Sequence, residues 1–342
     1  MIALLVLNAQ QVHDSLGFGE AIQAMKVAMA SLSQRQGQIP ERTHLHLHDP
    51  AGTMLIMPGH LRTEQTDALV VKMVGVFNEN QKRGLANILG VTMVFDPQTG
   101  QPQALLDGAA ITAIRTAATS AAATDLLARP ESKVLSILGS GTQAASHISA
   151  ITCIRDIQEI RIYAPRAPRV QQLVSRLQAN PKLENRDLVW KICDSSVECT
   201  RGADIICTTT NSSVPVIDNV AVSPGTHINA IGSYQPTVAE IPAETVGRSR
   251  IFVDQKDAAL KEAGDLIQAI DAGQLDASAI AGELGQVVLG TVTGRQSTEQ
   301  VTLFKSVGNT IQDVVAAQLI VESAVQQNMG TRVTFSESHD GK

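Results

Sequence analysis

The sequence is poor in aromatic residues. Phe, Tyr and Trp together make up 3%, with one Trp and two Tyr. Grooves that stack unpaired bases draw on such side chains, so single-stranded nucleic acid is a poor candidate ligand. Positive charge is scarce too. Lys and Arg number 27 against 33 Asp and Glu, for a net charge of −6 and an isoelectric point near 5.8. A broad basic surface for phosphate backbones is disfavoured, and no nucleic-acid partner is expected. No apolar run reaches the roughly 18 residues that a membrane span needs, so no membrane partner is expected. The apolar start Met1–Leu7 has no Lys or Arg before Lys26. It lacks a signal peptide's charged leader and reads as a first strand. The four cysteines, Cys153, Cys193, Cys199 and Cys207, lack the spacing of zinc or redox motifs. They are expected to be reduced, buried thiols in a cytoplasmic protein.

What is present is ordinary globular material. The 342 residues, 44% hydrophobic and 18% charged, suffice for two domains. With few aromatics, the core must be aliphatic and rich in Ala. Before residue 130 the segments Thr43–His48, Gly52–Met57, Leu69–Val76, Ile88–Phe95 and Gln103–Asp107 read as strands, several with one wet face. An Ala-rich helix follows from Ala109 to Ala128, capped by Asp107 and stopped by Pro130. Beyond it come the short apolar runs Val134–Leu138, Ile160–Tyr163, Asp204–Cys207, His227–Ile231 and Ile251–Val253. Such runs, with helix-length segments between some of them, suit a parallel sheet covered on both faces. Residues 309–325 read as a closing helix, and the polar tail Ser336–Lys342 as loose. The expected class is α/β.

The run Val134–Leu138 leads into Gly139-Ser140-Gly141-Thr142-Gln143-Ala144, a Gly-x-Gly-x-x-Ala turn between a strand and a helix expected from Thr142 to Ile154. In that context the pattern fits a dinucleotide site. The first Gly permits the tight turn, the second lets backbone approach the pyrophosphate, and the small third residue lets helix and strand pack. The helix N-terminus offers free N–H groups to the anion. The second strand then ends Tyr163-Ala-Pro-Arg166-Ala-Pro-Arg169, with no acid at its tip. An acid there would bind the ribose hydroxyl of NAD, whereas Arg166 and Arg169 suit a 2′-phosphate. NADPH is therefore the preferred cofactor, with NADH as the alternative.

Three cations stand in unusual places. Arg115 shares a helix face with Ile111, Ala118 and Ala122. Lys72 lies between Val71 and Met73 in an apolar strand, and Arg42 follows Pro40-Glu41. A guanidinium on an apolar face is costly unless an anion meets it. Each has a plainer reading, as a surface charge or a structural ion pair. Together with a hydride cofactor they suggest a carboxylate substrate. His44, His46 and His48 share one strand face. Alternate positions lie about 6.6 Å apart, too wide for three ligands on one ion. A wet face or a dimer contact is expected there, and no metal.

These stretches resemble the ornithine cyclodeaminase/μ-crystallin family over roughly residues 40–320. The resemblance is carried by Arg42, Met57-Pro58, Val71–Phe77, Thr112–Ala118, Gly139–Ala144, Gly202–Thr210 and Phe304–Asp313. It implies a Rossmann-type doubly wound sheet at residues 119–309. It also implies a discontinuous α+β domain, residues 1–118 with 310–342, that binds substrate and forms a homodimer. Residues matching Arg42, Lys72 and Arg115 bind the substrate carboxylate in the family. Thr208, Thr209 and Thr210, with Ser306 and Gly308, would lie near the nicotinamide.

The cyclodeaminase pattern carries an acid shortly after Ala-x-Gly, where this sequence reads Ala230-Ile-Gly232-Ser-Tyr234-Gln-Pro236. Tyr234 takes the acid's place as a substrate-binding residue, and a neutral phenol is a poor base at neutral pH. The stretch is more like the branch that reduces Δ1-pyrroline-2-carboxylate or its six-membered analogue. In that reading Arg115 and Arg42 clamp the carboxylate, and Lys72 adds charge and helps to control imine protonation. The alternatives are an ornithine cyclodeaminase using another acid (Glu240 being nearest), an amino-acid dehydrogenase with bound NAD, and a crystallin-like NADPH-binding protein without turnover.

Overall fold

The structure is a computed structural model that describes residues 2–49, 51–184 and 187–336. The chain divides into two compact units, Met1–Thr116 with Asn309–Lys342, and Ala117–Gly308. We call them the discontinuous and the central unit.

The discontinuous unit is built on a mixed sheet of β1 (Ile2–Leu7), β2 (Gly37–Gln38), β3 (Thr43–His48), β4 (Ala51–Arg62), β5 (Asp67–Val76), β6 (Ile88–Phe95), β7 (Pro102–Asp107) and the strand Thr331–Ser336. Strands β4 to β7 form an antiparallel meander. β1 runs parallel to β7 and antiparallel to Thr331–Ser336. Burial alternates along β5, so a period of two puts Lys72 on the inner face with Ala68, Val70 and Val74. The helix Thr310–Gln326 covers β4, β5 and β6 and packs on the helix Phe18–Ser33. It comes so near β4 that a Cβ on Gly59 would meet Thr310 Cγ2 at 2.7 Å. Only glycine admits that approach.

Several elements differ from expectation. β4 runs to Arg62 rather than stopping at Met57. Pro58 is tolerated because β3 pairs only as far as Ile56 and β2 begins at His60, so no ladder partner asks for its missing N–H on that edge. Every residue of β3 is exposed, not just one face. Ser336 closes the last strand opposite Ile2 rather than belonging to a loose tail. Met1 and the tail residues 337–342 lie outside the described residues. The helices Ala9–Ser15 and Phe18–Ser33 add to the expected elements, and the second buries Ala21, Ile22, Met25, Ala28 and Met29 at helical spacing.

The central unit holds β8 (Val134–Leu138), β9 (Glu159–Tyr163), β10 (Val189–Ile192), β11 (Ile205–Thr208), β12 (His227–Ala230), β13 (Arg250–Val253), β14 (Ile280–Glu283) and β15 (Thr302–Lys305). Their order is β10-β9-β8-β11-β12-β15-β13-β14, and every pair is parallel. This is a Rossmann-type doubly wound sheet. The chain winds outward in opposite directions from β8 and β11, which is the switch point at which such sheets bind ligands beyond the strands' carboxyl ends. β11, β12 and β15 are buried at every position, which explains their unbroken apolar pattern. β15 is hard to see in the sequence because polar Thr302 and Lys305 bound it, yet both are fully buried and hydrogen-bonded. The helix after β8 ends at Ile151, short of Ile154.

Candidate active site

In the discontinuous unit, β5 turns Lys72 inward toward two helices. Lys72 Nζ donates to Asp313 Oδ1 at 2.7 Å and to the Thr112 hydroxyl. Arg115 Nε reaches the same Asp313 oxygen at 3.3 Å, and its Nη1 donates to Gln312 Oε1 at 2.6 Å. Lys72 is 2% exposed, Arg115 7% and Asp313 0%. Burial pushes the Lys72 ammonium down to about 8, against the pull of Asp313 and with the help of Arg115 and Arg42. Burial also works against the Asp313 charge, but Lys72 and Arg115 outweigh it and hold the carboxyl below its usual range. Arg42 is half-buried and joins this group through its field.

Two cations thus share one acid in a dry place. Around them, Asn309 Nδ2 and Oδ1, Gln312 Nε2 and Asp313 Oδ2 are buried without a hydrogen-bond partner among the described residues. Asn309, Gln312 and Asp313 lie three and four residues apart on one helical face. Buried polar atoms are normally paired, so orphans gathered on one turn mark a place for a ligand. Thr112, Asn309, Gln312 and Asp313 join the site here and are not singled out by sequence reasoning. The available signal is polar Gln312-Asp313 between Ile311 and the apolar run Val314–Ala317.

In the central unit, Gly139 has φ +123°, and a Cβ on it would meet Thr209 Oγ1 at 2.7 Å. Only glycine can make this turn beside Thr209. Gly141 caps the helix Thr142–Ile151, exposed and with open space around it, and Ala144 is fully buried against the strand side. Ser140 and Gln143 are half-buried and Thr142 is exposed. These features fit a dinucleotide pyrophosphate at the helix N-terminus. Arg166 and Arg169 are exposed, Arg166 beyond the tip of β9 as the residue preceding the helix Ala167–Gln178, and Arg169 not at the strand tip but in the first turn of that helix.

The strand ends beyond β11, β12 and β15 are knitted by buried carboxylates. Glu240 accepts from the Thr208 hydroxyl at 2.9 Å, from Thr210 N and Oγ1 at 2.7 Å each, and from Gly232 N at 2.6 Å. Burial pushes the Glu240 carboxyl up, and Lys305 opposes it. Lys305 is paired with Asp265 at 2.7 Å, and Asp265 accepts from Ser233 Oγ and from Glu240 N and Ile241 N. Asp254 Oδ2 accepts from Ser306 Oγ, Val307 N and Gly308 N at 2.7–3.0 Å. Thr208, Thr210, Ser306 and Gly308 are thus fixed from behind, and both oxygens of Glu240 are engaged. Glu240 has no oxygen left for a substrate amine, so the nearest candidate acid of the cyclodeaminase alternative is engaged elsewhere. Tyr234 is half-buried in the loop after β12.

His44, His46 and His48 are exposed on β3. Among the described residues no three His, Cys, Asp or Glu side chains gather to hold a metal ion. No helix among them is long and apolar enough to cross a membrane.

The model of the ornithine cyclodeaminase/mu-crystallin family matches residues 3–328. A Δ1-pyrroline-2-carboxylate reductase of Bacillus cereus is 36% identical over 97% of this chain and 100% of its own length. The structure of Thermococcus litoralis Δ1-pyrroline-2-carboxylate reductase with NADH and L-proline superposes with a TM-score of 0.91 at 33% identity, covering 96% of this chain and all of the other. An archaeal alanine dehydrogenase dimer with bound NAD gives 0.89 at 30% identity, covering 98% and 100%.

Proposed function

The chain belongs to the ornithine cyclodeaminase/mu-crystallin family, and on that premise we propose that it reduces Δ1-pyrroline-2-carboxylate to L-proline with a nicotinamide dinucleotide, and takes the six-membered analogue as well. The observation that carries this reading is the buried pair Lys72 and Arg115, which meet one acid, Asp313, among the described residues. The surplus positive charge asks for an anion, and the imino acid brings a carboxylate. When bound, the dinucleotide supplies the hydride that goes to C2 of the C=N bond. The rest is the chain's work. Arg115 binds the carboxylate, with Arg42 assisting from its half-buried position. Fixing the carboxylate fixes which face of C2 is presented. Lys72 adds charge beside it, and as an ammonium that titrates near 8 it also helps to control the proton on the imine nitrogen. Tyr234 contributes to the substrate pocket. The turn Gly139–Ala144 holds the pyrophosphate, and Thr208–Thr210 with Ser306 and Gly308 support the nicotinamide end. The central unit is thus the dinucleotide-binding domain and the discontinuous unit the substrate domain.

The reductase and dehydrogenase relatives hold NADH and NAD respectively. We assign NADPH as the preferred cofactor here because Arg166 stands at the tip of β9 where an acid would favour NAD. We also assign a homodimer. The alanine dehydrogenase relative is a dimer, and exposed Leu45, Leu47, Ile56, Leu85, Ile88 and Leu89 give the discontinuous unit apolar surface to cover. Light scattering at twice the chain mass would support it. Four free cysteines suit the cytoplasm, although only Cys193, Cys199 and Cys207 are buried as expected, and Cys153, just past the helix Thr142–Ile151, is exposed.

The deciding experiment is absorbance at 340 nm with purified protein, NADPH and Δ1-pyrroline-2-carboxylate. An enzyme-dependent fall is expected. No fall from protein that binds NADPH would discard the reading in favour of a binder without turnover or ornithine deamination.

A further inference from the structure

We propose that Asp313 is a positioning residue that keeps Lys72 cationic and holds Lys72 and Arg115 side by side for a carboxylate. The inference rests on the proposed imino-acid reduction and deepens it. Its geometry is direct. One oxygen, Asp313 Oδ1, meets Lys72 Nζ at 2.7 Å and Arg115 Nε at 3.3 Å. All three groups are buried, Asp313 completely. Two cations brought together without water repel each other, and the ammonium is the one able to shed its proton. The groups that face Lys72 are Asp313 from the helix Thr310–Gln326, Arg115 and the Thr112 hydroxyl from the helix Gly108–Leu127, and Arg42 ahead of β3. Among these groups of the described residues, Asp313 is the anion. Its other oxygen, Oδ2, has no hydrogen-bond partner among the described residues, and the adjacent Gln312 fixes Arg115 through Nη1. The first turns of one helix thereby set the direction of one cation and the charge of the other.

Lys72 loses its proton near pH 8 in the intact protein. Replacing Asp313 by Asn removes the counter-charge and keeps the shape. Lys72 then loses its proton at lower pH, and a neutral amine holds a carboxylate poorly. The test is kcat/KM for Δ1-pyrroline-2-carboxylate from pH 6 to 9 in wild type and Asp313→Asn, plotted as the ratio of the two. The titration of the imine itself is common to both enzymes and cancels. The expected ratio is a loss of about fivefold at pH 8 that rises toward about tenfold at pH 9, because a tenfold weaker hold on the Lys72 proton leaves about a fifth as much ammonium at the wild-type midpoint and about a tenth as much above it. That loss shrinks toward pH 6 and falls mainly on KM. A merely structural role would lower activity equally at every pH. A ratio flat across the range, or a wild-type KM, overturns the proposal. If Asp313→Asn does not fold by circular dichroism, Asp313→Ser makes room for water in place of the carboxylate, and the same pH-dependent ratio is required of it. A wild type that turns over no imino acid would instead remove the functional reading, which separates the two failures.

Discussion

The two units bury charge in opposite ways. In the discontinuous unit two cations, Lys72 and Arg115, share one carboxylate. In the central unit the buried carboxylates Glu240, Asp254 and Asp265 lie with the buried cation Lys305, which pairs with Asp265. The difference is not only of sign. The central carboxylates are saturated: backbone N–H groups and hydroxyls from the strand ends point at their oxygens. Such fully partnered groups rigidify a loop and ask for nothing more. Among the described residues the discontinuous unit instead sets two buried cations on one acid and leaves four orphaned polar atoms on one helical turn. Buried charge that is locally satisfied builds a scaffold, and buried charge left over builds a binding site.

The sharpest way to break this contrast is Arg115→Ala. If Arg115 meets a substrate carboxylate, its removal leaves that carboxylate unpaired in a dry place, at a cost of about 2–5 kcal/mol. The loss in kcat/KM is then roughly 30- to several-thousand-fold. Near-wild-type kcat/KM would end the assignment. Glu240→Ala probes the other side and should act on stability. It strips the acceptor from Thr208, Thr210 and Gly232, and stranded buried donors cost about 3 kcal/mol in total. Urea denaturation measures this. An unchanged midpoint would show that the acid does not hold the strand ends.

The central unit also buries two neutral histidines. Burial lowers His147 to about 4, with its ring nitrogens near Gln143 O and Ser120 Oγ. Burial lowers His227 to about 3. Both stay neutral in the folded chain at pH 5, while an unfolded histidine titrates near 6.5. The unfolded state therefore takes up more protons as pH falls. Their contribution to stability is complete above 6.5 and is lost below it, down to the folded values. Between pH 7 and pH 5 each histidine should withdraw about 2 kcal/mol. His147→Gln should lose correspondingly less than wild type over that interval. Equal losses in the two proteins would mean that His147 is not held neutral.

The contrast between the units is half visible in the sequence. Lys72 and Arg115 stand out because charge interrupts an apolar period in a strand and in a helix. The Gly139 turn is legible because its context, strand before and helix after, is local. Asp313 does not stand out: an acid in the first turn of a helix has a surface explanation, and only packing of that helix on β5 brings it to Lys72. Glu240 reads as the nearest acid to a substrate. Its partners come from Thr208, Thr210 and Gly232, a convergence that only the parallel arrangement of β11 and β12 creates. β15 escapes because its hydrogen-bonded Thr and Lys mask a buried strand. Local pattern reveals where a polar group is out of place, whereas its partner depends on contacts distant in sequence.

A third kind of cation sharpens the comparison further. Arg166 is neither buried nor part of a scaffold; it is exposed at the tip of β9. If it selects the cofactor, it does so by meeting a 2′-phosphate in water, where charge pairs are weaker and screened by salt. Arg166→Glu should therefore have the smallest effect of the series. The ratio of kcat/KM with NADPH to that with NADH should fall by roughly tenfold. The fall should lie mostly in the NADPH value, because NADH brings no phosphate to repel. On that assignment, raising the salt concentration should lower the wild type's ratio of kcat/KM with NADPH to that with NADH while leaving the buried contacts of Arg115 much less affected. A ratio that does not move would place the choice between the two cofactors away from β9, and would leave the wild type free to use NADH as the reductase from Thermococcus litoralis binds it.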